Sequence, residues 1–120
     1  MPTTYVVLLT GDENRWEAMS ADEQAAVFAR HEAFATALAE RGHTVTGGAE
    51  LTHSRGTTQL REVDGEAVVT QGPYAESVEQ LGGLYVVESD DLDDLVDCAR
   101  LLLDDDGAIE IRATTDAGQA

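Results

Sequence analysis

Lysine is absent from this sequence: all seven basic residues are arginines, set against 24 acidic ones. The formal net charge of −17 excludes a surface built to hold nucleic acid or an anionic membrane, because phosphate contacts need clustered cations. The acids are spread along the chain. They read first as a solvating surface and second as a face for a basic partner. Cysteine occurs once, as Cys98, so no internal disulfide can form. Its place in an apolar helical pattern predicts a buried thiol. No apolar run approaches the roughly 20 residues of a membrane span. The N-terminus lacks a basic stretch leading into an apolar one, so no signal peptide is expected. These absences together predict a cytoplasmic protein.

Motifs of standard chemistry are missing too. There is no recognisable nucleophile triad. Gly82-Gly83 leads into a strand and not into a helix, so it is no phosphate loop. His31, His43 and His53 are not spaced as a helical zinc pair, and Cys98 has no thiol partner. Neither a metal nor a cofactor is expected.

What is present suits one α+β domain over residues 1–113, with a loose tail at 114–120. Thr4 to Leu9 is a continuous apolar run, which predicts a central strand buried on both faces. Gly11 to Asn14 breaks it, and Trp16 and Met19 follow in a loop that folds over the sheet or covers a pocket. Ser20 and Glu23 form a capping box. A helix then runs to about Arg41, where Gly42 stops it. Its inward stripe is Val27, His31, Phe34, Ala35 and Leu38. Thr44 to Leu51 reads as a strand, with Glu50 facing a cavity or water. His53 and Arg55 read as solvated.

Asp64-Gly65 supplies a tight turn for a hairpin of Thr57–Val63 and Glu66–Thr70. Leu84 to Val87 is a second continuous apolar strand. Ser89 or Asp90 caps the last helix, with Leu92, Leu95, Val96, Ala99, Leu102 and Leu103 facing in. Asp104 to Asp106 reads as a solvated turn, and Ala108 to Ala113 as the last strand. Right-handed crossovers place the two apolar strands side by side in the middle of the sheet. The expected fold is a ferredoxin-like two-layer sandwich, a mostly antiparallel sheet with two helices on one face and an inserted hairpin.

Between the two breakers Gly72-Pro73 and Gly82-Gly83 lies the stretch Gln71-Gly72-Pro73-Tyr74-Ala75-Glu76, followed by Val78-Glu79-Gln80-Leu81-Gly82-Gly83-Leu84. It resembles the signature of the YCII-related proteins, in the branch that reads D-G-P-F-A-E-x-K-E-x-L-G-G-F. Gln71 replaces the first Asp, Tyr74 the Phe and Val78 the Lys. The resemblance continues through the opening strand, the start of the last helix at Asp91 and the closing strand at Ile109. It implies pairing of two sheets into a dimeric α/β barrel, hence a homodimer. It also implies a His–Asp pair, for which His31 is the candidate histidine and no acidic residue matches the Asp.

The candidate site therefore combines His31 as acid or base with Gln71, Tyr74, Glu76 and Glu79 of the loop as ligand contacts. Gln71 cannot titrate, so an acid–base role for the family's Asp does not survive here. A loop carboxylate reaching His31 would raise its pKa, whereas simple burial would lower it. Gly82 and Gly83 read as structural, needed for positive φ or a close backbone approach. Two functions stay open. One is a small-molecule-binding dimer, at most a cofactor-independent isomerase or lyase. The other is a non-catalytic accessory dimer acting with another protein, such as an alternative sigma factor. A closed polar pocket favours the first, and a dry interior with a flat acidic face the second.

Overall fold

The computed structural model describes residues 2–73 and 77–115. In chain order the elements are β1 (Thr3–Asp12), α1 (Glu13–Ala18), α2 (Ala21–Glu40), β2 (Thr44–Glu50), β3 (Thr58–Val63), β4 (Glu66–Gln71), β5 (Glu79–Ser89), α3 (Leu92–Ala99) and β6 (Ala108–Ala113). The main sheet has the order β2-β5-β1-β6, and its three pairings are antiparallel. This is an α+β fold compatible with a ferredoxin-like sandwich. The two apolar strands are neighbours at the centre, with Val7 opposite Tyr85 and Leu9 opposite Gly83.

The alternation of a strand sends its residues to opposite faces. On the helix-covered face, Val7 and Val87 are fully buried against Phe34, Leu38, Leu95, Cys98 and Ala99. Tyr5, Leu9, Tyr85, Ile109 and Ile111 pack around that cluster. Val6, Leu8, Leu84 and Val86 point to the other face and are half-buried. The buried Cys98 thiol matches its expected place, and burial pushes its pKa up.

Local signals set several boundaries. The capping box is complete: Ser20 Oγ accepts from the Glu23 amide at 3.1 Å and Glu23 accepts from the Ser20 amide at 3.0 Å. Gly42 follows α2 with φ of +86°, the left-handed geometry a helix stop needs. Asp64 and Gly65 both have positive φ, 51° and 83°, so the hairpin turn is of the expected kind. The hairpin is a sheet of its own, since among the described residues β3 and β4 pair only with each other.

Other expectations are corrected. Trp16 lies in α1, not in a loop, because the Asp12 carboxylate accepts the Asn14 and Arg15 amides and caps a short helix. The cap of α3 is Asp91, not Ser89 or Asp90. Ser89 is instead buried on His43. The inward stripes are narrower than expected: Ala35, Leu92, Val96 and Leu103 are exposed. After Ala99 the chain tightens into a 3₁₀ turn over Arg100–Leu102, which advances each side chain by more than an α-helix does and turns Leu103 outward.

The Asp104–Asp106 run is tied down, not merely solvated. Asp104 pairs with Arg30, Asp105 with Arg15, and Asp106 accepts the Asp12 amide at 3.1 Å. Gly82 and Gly83 both lack positive φ. Only Gly83 is a close approach: a Cβ there would sit 3.0 Å from the Ala49 carbonyl oxygen, against 3.8 Å from the Leu9 oxygen at Gly82. Of the expected tail, Thr114 donates its amide to the Thr4 carbonyl at 2.8 Å, and residues 116–120 lie outside the described residues.

Candidate functional site

The helix-covered side of the sheet does not close completely. Between the N-terminal half of α2, the short α1 and the ends of β1, β2, β5 and β6 lies a cavity of about 540 Å³. Its size is within the range of small-molecule sites, roughly 300–1,000 Å³. Three local features make it. Asp12 turns the chain from β1 into α1 and so puts Trp16 over the opening. Trp16 packs edge-on against Phe28 of α2, ring centroids 5.5 Å apart at 84°. Gly83, the buried glycine of β5, contributes backbone and no side chain to the floor.

His31 sits on the cavity wall, half-buried. Its Nδ1 is 2.6 Å from the Tyr85 hydroxyl, and Tyr85 packs in turn against Phe34 at 5.2 Å between centroids. The ring is therefore held by a phenol anchored in the core. Burial lowers the His31 pKa; the nearby Glu50 carboxylate raises it and Arg30 lowers it further, both less than burial. Burial also raises the Tyr85 pKa. Both groups are thus neutral near pH 7. A phenol can donate or accept, so the hydrogen bond survives either imidazole tautomer. Among the described residues, Nε2 has no hydrogen-bond partner. That nitrogen is the one able to exchange a proton with a ligand.

The expected His–Asp pair at His31 is not found among the described residues; the partner is a tyrosine of β5. A histidine–aspartate hydrogen bond does occur elsewhere. His43 Nε2 meets Asp94 at 2.7 Å while its Nδ1 meets Ser89 Oγ at 2.8 Å. In this pair His43 is buried and Asp94 partly exposed, and it lies where the end of α2 meets α3, outside the cavity lining. Asp94 is also bonded by Arg41, and hydrogen bonds from His43 first and Arg41 second hold its pKa down. Cys98 adds a third donor atom, the three lying within 4.8 Å of one another. Ser89 and Arg41 complete the hydrogen bonding of His43 and Asp94, which ties the end of α2 to β5 and α3.

The loop residues divide differently. Tyr74 and Glu76 lie outside the described residues. Gln71 ends β4 exposed, within 3.4 Å of the Thr58 hydroxyl, and Glu79 starts β5 exposed opposite Asp12. Neither lines the cavity, and neither is brought to His31. Residues not singled out in the sequence take their place. Tyr85 is one, hidden because its run reads simply as a buried strand. His53, expected to be solvated, instead lines the cavity and is mostly covered, its Nε2 near Asn14 at 2.8 Å and its Nδ1 3.4 Å from Glu13. Arg55 is exposed and pairs with Glu17. Glu50 does face the cavity.

Residues 3–113 match the profile of the YCII-related domain family. The chain is also similar to an uncharacterized protein of Rhizobium meliloti, 34% identical over 96 residues that span 80% of this chain and 77% of that relative.

Proposed function

The chain belongs to the YCII-related domain family, and from that premise we propose that it is a small-molecule-binding dimer in which His31 does cofactor-independent acid–base work. The observation that carries the reading is the cavity with the His31–Tyr85 pair in its wall. An accessory module acting only through its surface, on a sigma factor for instance, needs no such cavity.

The chemistry follows from the environment of the ring. A neutral imidazole is a base at pH 7, and burial keeps His31 neutral at rest. With Nδ1–H donating to the Tyr85 oxygen, Nε2 accepts a proton from a carbon adjacent to a ligand carbonyl. Glu50 favours the imidazolium that results. Return of that proton to a different carbon is an isomerisation; departure of a leaving group from the neighbouring carbon is an elimination. Positioned proton transfer of this kind contributes about a hundredfold or more to rate.

Phenylacetone, a neutral aromatic ketone, tests both parts. Binding should change the fluorescence of Trp16 and shift the His31 imidazole resonances, and Val27→Phe, which crowds the cavity next to His31, should weaken both changes. In heavy water the protein should speed deuterium exchange beside the carbonyl, and His31→Gln should return it to the buffer rate with binding retained. No response in either signal would remove the cavity as a binding site. Binding without accelerated exchange would leave the site and remove the acid–base role.

Pairing into a homodimer is supported by the uncovered sheet face. Val6, Leu8, Leu84 and Val86 form an apolar strip there, and no helix among the described residues lies over it. Two-fold pairing face to face, as in a dimeric α/β barrel, covers both strips at once. Sedimentation at micromolar concentration should give twice the 12.8 kDa chain mass; a monomer alone would end the idea.

A further inference from the structure

The charge of the cavity walls is more specific than its shape. Asp12, Glu13, Glu17, Glu50, Asp104 and Asp106 all line it, and no arginine does. Two of these acids are neutralised from outside the lining, Glu17 by Arg55 and Asp104 by Arg30. Three more have oxygens committed to backbone amides, which orients those oxygens without cancelling their charge. Asp12 caps α1, Asp106 takes the Asp12 amide, and Glu13 takes the Ser54 amide at 2.8 Å. Glu50 is different: among the described residues its carboxylate takes no hydrogen bond and no ion pair. It lies opposite Gly83 at the end of β2, close enough to His31 to act on its charge. The apolar part of the wall is mixed: Trp16 and Phe28 pack together with Tyr85 nearby, beside aliphatic Leu9, Val27, Leu102 and Ile109.

An anionic ligand entering this space meets carboxylates and no permanent cation. An ammonium meets Glu50, the lining carboxylate left uncommitted among the described residues, and rings whose faces attract positive charge. Resting on the reading of the cavity as a ligand site, we propose that its ligand is a small organic cation, an amine carrying a flat apolar group. The ammonium pairs with Glu50 and the apolar group packs against Trp16 and Phe28. The neutral His31 leaves the cavity without a competing positive charge.

Three probes sharing one phenylethyl group test the assignment: 2-phenylethylamine, 2-phenylethanol and 3-phenylpropionate, which are cationic, neutral and anionic near pH 7. Trp16, the sole tryptophan, reports binding by its fluorescence. A partly exposed ion pair together with a cation–π contact should favour the amine over the alcohol by about tenfold, with the propionate weakest. Glu50→Gln should bring the amine to the level of the alcohol and leave the alcohol unchanged. Asp93→Asn, an exposed acid of α3 outside the lining, should alter neither and so controls for the general field of a chain at −17. Equal binding of amine and alcohol, or a preference that survives Glu50→Gln or falls equally in Asp93→Asn, overturns the proposal while the cavity remains a site. Failure of all three probes to bind overturns both.

Discussion

Gly107 is the residue where one added methyl group should cost most. Its φ is +68°, and a Cβ built there would lie 1.8 Å from the Thr10 carbonyl oxygen and 2.7 Å from the Gly11 Cα. Real Cβ contacts stop near 3.0 Å, so β1 would have to retreat by about 1.2 Å, the difference between 3.0 and 1.8. That end of β1 is the last to pair with β6, Thr10 opposite Ala108. It also carries the Thr10 hydroxyl bond to the Ala108 carbonyl, 3.2 Å, and the Asp12 amide bond to Asp106, 3.1 Å. Left-handed backbone costs a non-glycine residue about 1–2 kcal/mol. Two lost hydrogen bonds add roughly 1 kcal/mol each. Gly107→Ala should therefore destabilise by about 3–4 kcal/mol, a large share of the roughly 5–15 kcal/mol that holds a domain together.

Gly65→Ala is the matched control, with φ of +83° and nothing within 4 Å of the new Cβ, so it should lose only the backbone cost, about 1–2 kcal/mol. Urea unfolding read by circular dichroism and Trp16 fluorescence, at one protein concentration for all variants, measures both. If Gly107→Ala comes within about 1 kcal/mol of Gly65→Ala, the overlap argument is wrong.

The adjacent glycines of β5 should separate in the same assay. Gly83→Val meets the Ala49 carbonyl at a buried position and should lose about 2–3 kcal/mol, while Gly82→Val, with its nearest contact at 3.8 Å, should lose under about 1 kcal/mol. Equal losses would refute the distinction. His31 makes stability depend on pH with a definite sign. Its folded pKa lies below the unfolded value of about 6.5, so the unfolded chain binds the proton first. Stability should be full above that value, fall as pH drops through it, and level off below the folded pKa. His31→Gln should remove this part of the slope, and an imidazole pKa above about 6.5 by NMR would contradict burial as the dominant cause.

The elements that were legible in the sequence are those whose causes are local. A capping box needs only Ser20 and Glu23 three residues apart, and a hairpin turn needs only Asp64-Gly65; both formed where expected. Continuous apolar runs located the two central strands, but the expected burial on both faces holds only on the helix side, since Val6, Leu8, Leu84 and Val86 on the other face are half-buried. The burial of Cys98 followed from helical spacing in the same way. Even there, spacing went too far at Leu92, Val96 and Leu103, since periodicity marks which side a helix turns inward and not how far its neighbours reach.

The site was decided by contacts between residues far apart in the chain. His31 could be placed on an inward face from Val27, Phe34 and Leu38 alone, yet its partner, Tyr85, is 54 positions away and reaches it only because β5 lies beneath α2. The same holds for the acids. Asp104 to Asp106 look like a solvated run until Arg15, Arg30 and the Asp12 amide arrive from other elements. Composition determined that the protein is strongly acidic and lacks lysine. Which carboxylates stay uncommitted, and that Glu50 faces a cavity beside a neutral histidine, is settled only by tertiary packing, because a charge is cancelled by what lies within a few ångströms of it and not by its neighbours in sequence.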